Sequence, residues 1–114
     1  MKNVKRKGSA GERELAEILR REGIRAYRND QIYTGGRENP DVQAEISGLP
    51  LHIEVKRVER LNVPEAMSQA IRDAAEDAFP VLAHRRNREK WLVTMPLLPL
   101  IELLKKGGII SNEQ

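Results

Sequence analysis

Two carboxylates and a lysine in this chain are spaced so that they could act together on a phosphate ester. Pro40-Asp41 opens one alternating segment, and Glu54-Val55-Lys56 lies within the next. Strand geometry turns Glu54 and Lys56 to one face and Val55 to the other. Asp41 falls on the face opposite Val42, Ala44 and Ile46, so packing the two apolar sets together puts Asp41, Glu54 and Lys56 jointly on the other side. Asp41 and Glu54 are 13 residues apart, a separation that a twisted hairpin closes to cation-bridging range. Two close carboxylates repel and settle either on a shared proton or on a bound cation. Their hard oxygens, with water and phosphate, match Mg²⁺, and Mn²⁺ is expected to substitute for it. Such an ion polarises a scissile phosphate and lowers the pKa of an attacking water. Lys56 then either stabilises developing negative charge or positions that water and helps deprotonate it. Exposed strands also carry alternating Glu and Lys as plain surface ion pairs, so the trio alone leaves both readings open.

Glu12 bears on that choice. Its spacing to Leu15 and Leu19 follows i, i+3 and i+7, which sets it near the inward stripe of a helix. A carboxylate there needs a partner, and a metal centre is one. A capping box with Ser9 is another, since Ser9 precedes Glu12 by three residues.

The elements that must position these groups are legible in the periodicity. Residues 9–22 read as a helix capped by Ser9 and stopped by Gly23, with Leu15, Ile18 and Leu19 as its apolar stripe. Residues 24–28 suit a strand, and residues 29–40, polar and containing Gly35-Gly36, suit a loop that approaches a ligand. Residues 41–46 and 51–58 alternate about a turn at 47–50 and predict a hairpin. Asn62, followed by Val63-Pro64 and Glu65, caps a second helix packed through Met67, Ala70, Ile71, Ala74 and Ala75. Residues 79–84 and 90–95 read as two strands about a short basic turn, and residues 96–106 as a last helix stopped by Gly107-Gly108. The order predicts one mixed α/β domain over residues 1–114, without repeats or low-complexity sequence.

Composition narrows the class further. Hydrophobic residues are 39% and charged residues 32%, a globular rather than disordered balance. The chain has no cysteine, which excludes disulfides and thiolate metal sites, and two histidines make a structural zinc site an unattractive reading. No apolar run is long enough for a membrane span, and residues 1–7 lack a signal-peptide core, so a cytoplasmic protein is expected. The formal charge of +3 is unevenly spread. Lys2, Lys5, Arg6, Lys7, Arg13, Arg20, Arg21, Arg25 and Arg28 crowd the first quarter, and Arg85, Arg86, Arg88 and Lys90 form a second cluster. Such patches suit a polyanion, and a solvated surface equally.

The run Lys7-Gly8-Ser9-Ala10-Gly11-Glu12-Arg13-Glu14-Leu15, the Pro40-Asp41 pair and Glu54-Val55-Lys56 together resemble the archaeal-type Holliday junction resolvases. Those enzymes belong to the PD-(D/E)XK nuclease superfamily, and similar ones are encoded by phages. The resemblance covers residues 5–57 in order and spacing. It implies a restriction-endonuclease-like fold, a mixed central sheet flanked by helices. By that resemblance Glu12, Asp41 and Glu54, with the backbone carbonyl of Val55, hold the metal, and Lys56 completes the catalytic set. The implied DNA contacts are Arg13 and Arg28, with Thr34 in place of a frequent serine in the glycine-containing loop. Gln69 resembles a glutamine that borders the active site. Lys5, Arg6, Lys7, Arg37, Lys56, Arg85, Arg86 and Arg88 extend the expected DNA-binding surface.

The family implies a two-fold homodimer that nicks opposed strands of a four-way junction, acting in the cytoplasm, or in the host cytoplasm for a phage-encoded member. After Val58 the pattern departs, because Asn62-Val63-Pro64 stands where the family's second helix usually opens on an aromatic residue. Two other readings stay open: a nuclease for flapped, damaged or linear DNA, and a catalytically weak DNA-binding accessory protein. His52 reads as a peripheral or structural residue and His84 as a strand-end surface histidine. Tyr27, Tyr33, Phe79 and Trp91 are too scattered to form a stacking platform for single strands. Leu97, Leu98, Leu100, Ile101, Leu103 and Leu104 give the last helix more apolar cover than a small domain buries, which places it at the expected dimer interface.

Overall fold

The computed structural model describes residues 2–28 and 41–110, with side-chain surroundings from residue 10 onward. Its elements are α1 (Lys2–Arg21), β1 (Arg25–Arg28), β2 (Val42–Ile46), β3 (Leu49–Arg57), α2 (Val63–Asp73), β4 (Phe79–Arg85), β5 (Leu92–Thr94) and α3 (Leu97–Lys106).

The alternation in residues 42–57 produces the predicted hairpin. Val42 pairs with Ile53 and Ala44 with Leu51, so the two apolar sets share a face. The turn is tighter than expected. Ser47 and Gly48 both have positive φ, 53° and 80°, as a two-residue type I′ turn requires and as glycine tolerates without strain. Leu49 and Pro50 therefore belong to β3, opposite Ile46 and Glu45. Pro50 precedes Leu51, where pairing with β4 begins, so its missing N–H costs no bond on that side.

The strands lie in the order β1-β2-β3-β4-β5. Neighbours are antiparallel except β3 and β4, which run parallel. A parallel pair needs a crossover, and α2 supplies it. Asn62 opens α2 as expected, its side chain accepting from the Glu65 N–H at 3.1 Å. This is the mixed sheet with flanking helices that the element order predicts.

Period-two alternation divides the interior into two layers. On one face Leu15 and Ala16 of α1 meet Ala26, Val42, Ala44, Leu51, Ile53, Val55, Val81 and Ala83. On the other, Leu82 is wholly enclosed, and α2, which packs against β4 and β3, buries Ala66 and Ala70. The catalytic candidates Glu54 and Lys56 share this second face.

Several boundaries differ from the sequence expectation. Helix α1 begins at Lys2, so Ser9 is an interior helical residue and does not act as the N-cap partner of Glu12. Lys and Arg are good helix formers, and the basic run extends the helix through Gly8 and Ser9. Gly23 does end it, with Gly23 N–H on the Arg20 carbonyl and Ile24 N–H on that of Leu19. Helix α2 stops at Asp73, short of Ala75, and Ile71 faces solvent. Strand β5 is shorter than expected, although Trp91 just before it packs on the core. Helix α3 buries no residue fully; Leu103 rests on the core while Leu97 and Leu98 are exposed. Among the described residues, no helix is long and apolar enough to cross a membrane.

Because Leu82 of β4 is fully buried, Leu82→Ala is expected to destabilise the fold by about 2–5 kcal/mol. Urea unfolding measures this, and a change under about 1 kcal/mol would show that the second layer contributes little.

Candidate active site

Glu12 reaches the sheet because α1 lies close against β3. A Cβ placed on Gly11 would stand 3.2 Å from the Cβ of Arg57 and 3.6 Å from a Val55 methyl. A larger residue would push the helix outward, so Gly11 sets the close approach and Glu12 follows at its edge. Leu15 and Ala16, both buried, anchor the next turn. The Glu12 carboxylate lies 4.0 Å from the Arg28 guanidinium at the end of β1.

Asp41 sits one residue before β2. Continuing the register beyond Val42 and Ile53 sets it across from Glu54. Val55 lies past the last β3 residue paired with β2, and its N–H donates to Asp41 Oδ2 at 2.8 Å. Asp41 thus takes up a backbone donor at the point where the two strands part. Its carboxyl is pushed up to about 7, chiefly by burial; the Val55 N–H opposes this, and the charges of Glu54 and Glu12, with a hydrogen bond to Glu54, add to it. Asp41 therefore feels both of the other predicted acidic residues. Lys56 lies on the same face two residues along, half-buried opposite His84.

The chemistry of this donor set fits a hard divalent cation. It offers carboxylate oxygens and is partly dry, and burial with the added charge of Glu54 and Glu12 raises the Asp41 carboxyl to about 7. Among the described residues no three acidic or imidazole groups are already disposed around a cation position. Asp41 and Glu54 are instead hydrogen-bonded to each other, so an ion would take the place of the proton between them.

One residue of this neighbourhood was undervalued in the sequence. His52, expected to be peripheral, is 4% exposed, and its Nε2 is 2.8 Å from Glu54 Oε2. The signal was the i, i+2 spacing of His52 and Glu54, which places both on one face of a strand. His84 is also not a free surface histidine: Nε2 pairs with the Thr94 hydroxyl at 3.0 Å, and burial lowers its pKa.

The expected DNA contacts divide. Arg13 and Arg88 are exposed, and Gln69 is exposed on α2. Arg28 stands beside Glu12. Arg86 pairs with Glu89 at 3.4 Å. Arg85 is largely buried, makes a two-pronged bond to the Glu14 carboxylate and lies over the Trp91 ring. Its guanidinium ties β4 to α1, which is a structural role. Lys5, Arg6 and Lys7 have side chains outside the described residues, as do Thr34, Arg37 and the loop expected at 29–40. Glu59, Arg60, His84, Arg86, Glu89 and Lys90 help line a cleft of about 430 Å³ at the C-terminal ends of β3 and β4.

An acidic cluster and a lysine on a mixed sheet with flanking helices define a PD-(D/E)XK nuclease core. Residues 3–111 match the family of phage putative PDDEXK endonucleases, and the chain belongs to that family. Its fold is similar to that of Hjc, a Holliday junction resolvase from the archaeal hyperthermophile Archaeoglobus fulgidus. The two share 24% identity with a TM-score of 0.57, over 77% of this chain and 76% of that one. No curated protein matches the sequence.

The Asp41 carboxyl has an ordinary value of 3.8 and rises to about 7 in the fold. The folded state therefore holds an extra proton in that window. This contribution to stability is full below the lower value and is lost as pH rises through the upper one. Metal-free protein is expected to weaken toward urea between about pH 4 and pH 7 and to level off above that, with a shallower dependence in Asp41→Asn. Identical pH slopes in the two proteins would remove Asp41 from the buried cluster.

Proposed function

We propose that this nuclease is a structure-selective endonuclease that hydrolyses phosphodiesters in four-way DNA junctions, making paired nicks as a two-fold dimer. The observation that carries the chemistry is the electrostatic convergence of Glu12, Asp41 and Glu54 beside Lys56. The fold shared with a Holliday junction resolvase directs the choice of substrate.

Glu12, Asp41, Glu54 and the Val55 carbonyl would hold Mg²⁺, or Mn²⁺ in its place. When bound, the ion supplies Lewis-acid polarisation of the phosphate and a water of lowered pKa. Lys56 faces the same phosphate, either neutralising the charge that builds on its oxygens or orienting the attacking water. Arg28 holds Glu12 from the side of β1. The cleft past the end of β3, with Arg60, Arg86 and Lys90 on its wall, would accept DNA backbone, where phosphate contacts contribute affinity without reading sequence. Exposed Arg13, Arg88 and Gln69 contribute at the periphery, and Lys5, Arg6, Lys7, Thr34 and Arg37 belong to the same expected surface.

The dimer uses the apolar surface that the monomer leaves open. Strand β5 is a sheet edge carrying exposed Leu92 and Val93, and α3 exposes Leu97 and Leu98, the last at 74%. A symmetric pair of active sites matches the near two-fold symmetry of a four-way junction. In sedimentation, wild type is expected as a dimer and Leu98→Glu as a folded monomer; a wild-type monomer bound to junction DNA would remove the two-fold arrangement.

Labelled four-way junction, flapped duplex and linear duplex, incubated with Mg²⁺, test the substrate. Wild type is expected to nick the junction in pairs and leave the linear duplex largely intact. Asp41→Asn is expected to bind the junction but cut more than about 100-fold slower, a larger loss than changes behind metal ligands cause. Preferential cutting of the flap, or equal cutting of linear duplex, would replace junction selectivity with a general trimming activity. Binding without any cleavage by wild type would favour an accessory DNA-binding role.

A further inference from the structure

Glu54 is held by a second residue. Among the described residues, His52 is the one buried polar or charged side chain. It occupies the middle of the central strand, between Gln43 on β2 and Pro80 on β4. A polar ring enclosed there is costly unless hydrogen-bonded, and an apolar side chain would fill the same space at lower cost. Packing therefore does not account for a histidine at this place. Its contact does: Nε2 lies 2.8 Å from Glu54 Oε2. A carboxylate can only accept, so with Glu54 ionised the ring hydrogen sits on Nε2 and points at that oxygen.

The second carboxylate of the pair is treated in the same way. Asp41 Oδ2 accepts the Val55 N–H at 2.8 Å. Each acid thus has one oxygen tied to a fixed protein donor. Holding one oxygen fixes the rotamer and limits the carboxylate to a single-oxygen contact with a cation. That suits a small ion of strict octahedral preference.

We infer that His52 is a positioning residue that orients Glu54 for cation binding through the Nε2–H to Oε2 hydrogen bond. The inference rests on the reading of Asp41 and Glu54 as cation ligands. It adds a member to the site from outside the Glu-x-Lys pair, on the face covered by α2.

The full-length protein without DNA tests this directly, with Mn²⁺ binding measured by calorimetry and Mg²⁺-dependent junction cleavage measured alongside. His52→Leu keeps an apolar filling and is expected to melt close to wild type, bind Mn²⁺ about 10- to 100-fold more weakly and need correspondingly more Mg²⁺ for cleavage. Junction binding in EDTA is expected to be unchanged. His52→Gln carries an amide N–H at about the reach of Nε2 and is expected to return Mn²⁺ affinity to within about 3-fold of wild type, well inside the loss caused by removing the donor. Wild-type Mn²⁺ affinity in His52→Leu, or a folded His52→Gln as weak as Leu, would overturn the assignment. If His52→Leu does not fold, Gln against His52→Asn decides, because the shorter amide cannot reach Glu54; equal affinities would again overturn it. Wild type that neither binds Mn²⁺ nor requires a divalent ion to cut would sink the cation reading itself, an outcome distinct from those.

Discussion

The proximity of like charges at the place where β2 and β3 part is the constraint on which this structure turns. Asp41 and Glu54 face each other there, and Glu12 adds its charge from α1. In water such groups would separate; here burial and the register of the hairpin keep them together. The fold offsets the cost with specific donors: the Val55 N–H on Asp41, the His52 ring on Glu54 and the Arg28 guanidinium near Glu12. Burial, more than the neighbouring charges, raises the Asp41 carboxyl to about 7. A buried carboxyl that binds a proton so readily beside a second acid is also one where a divalent cation can take the proton's place.

Two layers converge on that point. The face of β3 bearing Leu51, Ile53 and Val55 belongs to the core shared with α1, whereas His52, Glu54 and Lys56 alternate onto the face covered by α2. The acidic cluster lies at the seam. Asp41 turns back to the backbone of Val55, and Glu12 comes from the α1 side, brought close by the absence of a side chain on Gly11. Neither layer alone assembles the set. The central strand, paired on both sides, fixes the relative positions of residues that two separate helices serve.

The basic residues separate into those that build and those that face outward. Arg85 joins β4 to α1 through Glu14 and rests over Trp91. Arg20 donates to the Ala26 carbonyl at 2.9 Å and fastens α1 to β1. Arg25 pairs across to Glu45. A positive cluster in the sequence therefore exceeds the positive surface available to a polyanion, since guanidinium groups serve readily as forked connectors between elements. The cleft at the ends of β3 and β4 carries Arg60, Arg86 and Lys90 on its wall together with Glu59 and Glu89.

Much of the site was legible before any coordinates because short-range geometry is periodic. Alternation placed Glu54 and Lys56 on one face, the apolar partners of Val42 and Ala44 determined the hairpin's register, and Asn62 and Gly23 announced helix ends through their own backbone chemistry. Sequence also set Glu12 near an inward stripe, though it could not choose between a metal centre and a capping box with Ser9. The packing of α1 on β3 removes the capping reading, since α1 runs through Ser9, and brings Gly11 against Arg57, residues far apart in the chain. The same holds for His52 and Arg85, whose meaning depends on partners and burial. Local spacing determines the direction a side chain takes, whereas the company it keeps is decided by which distant elements pack against it.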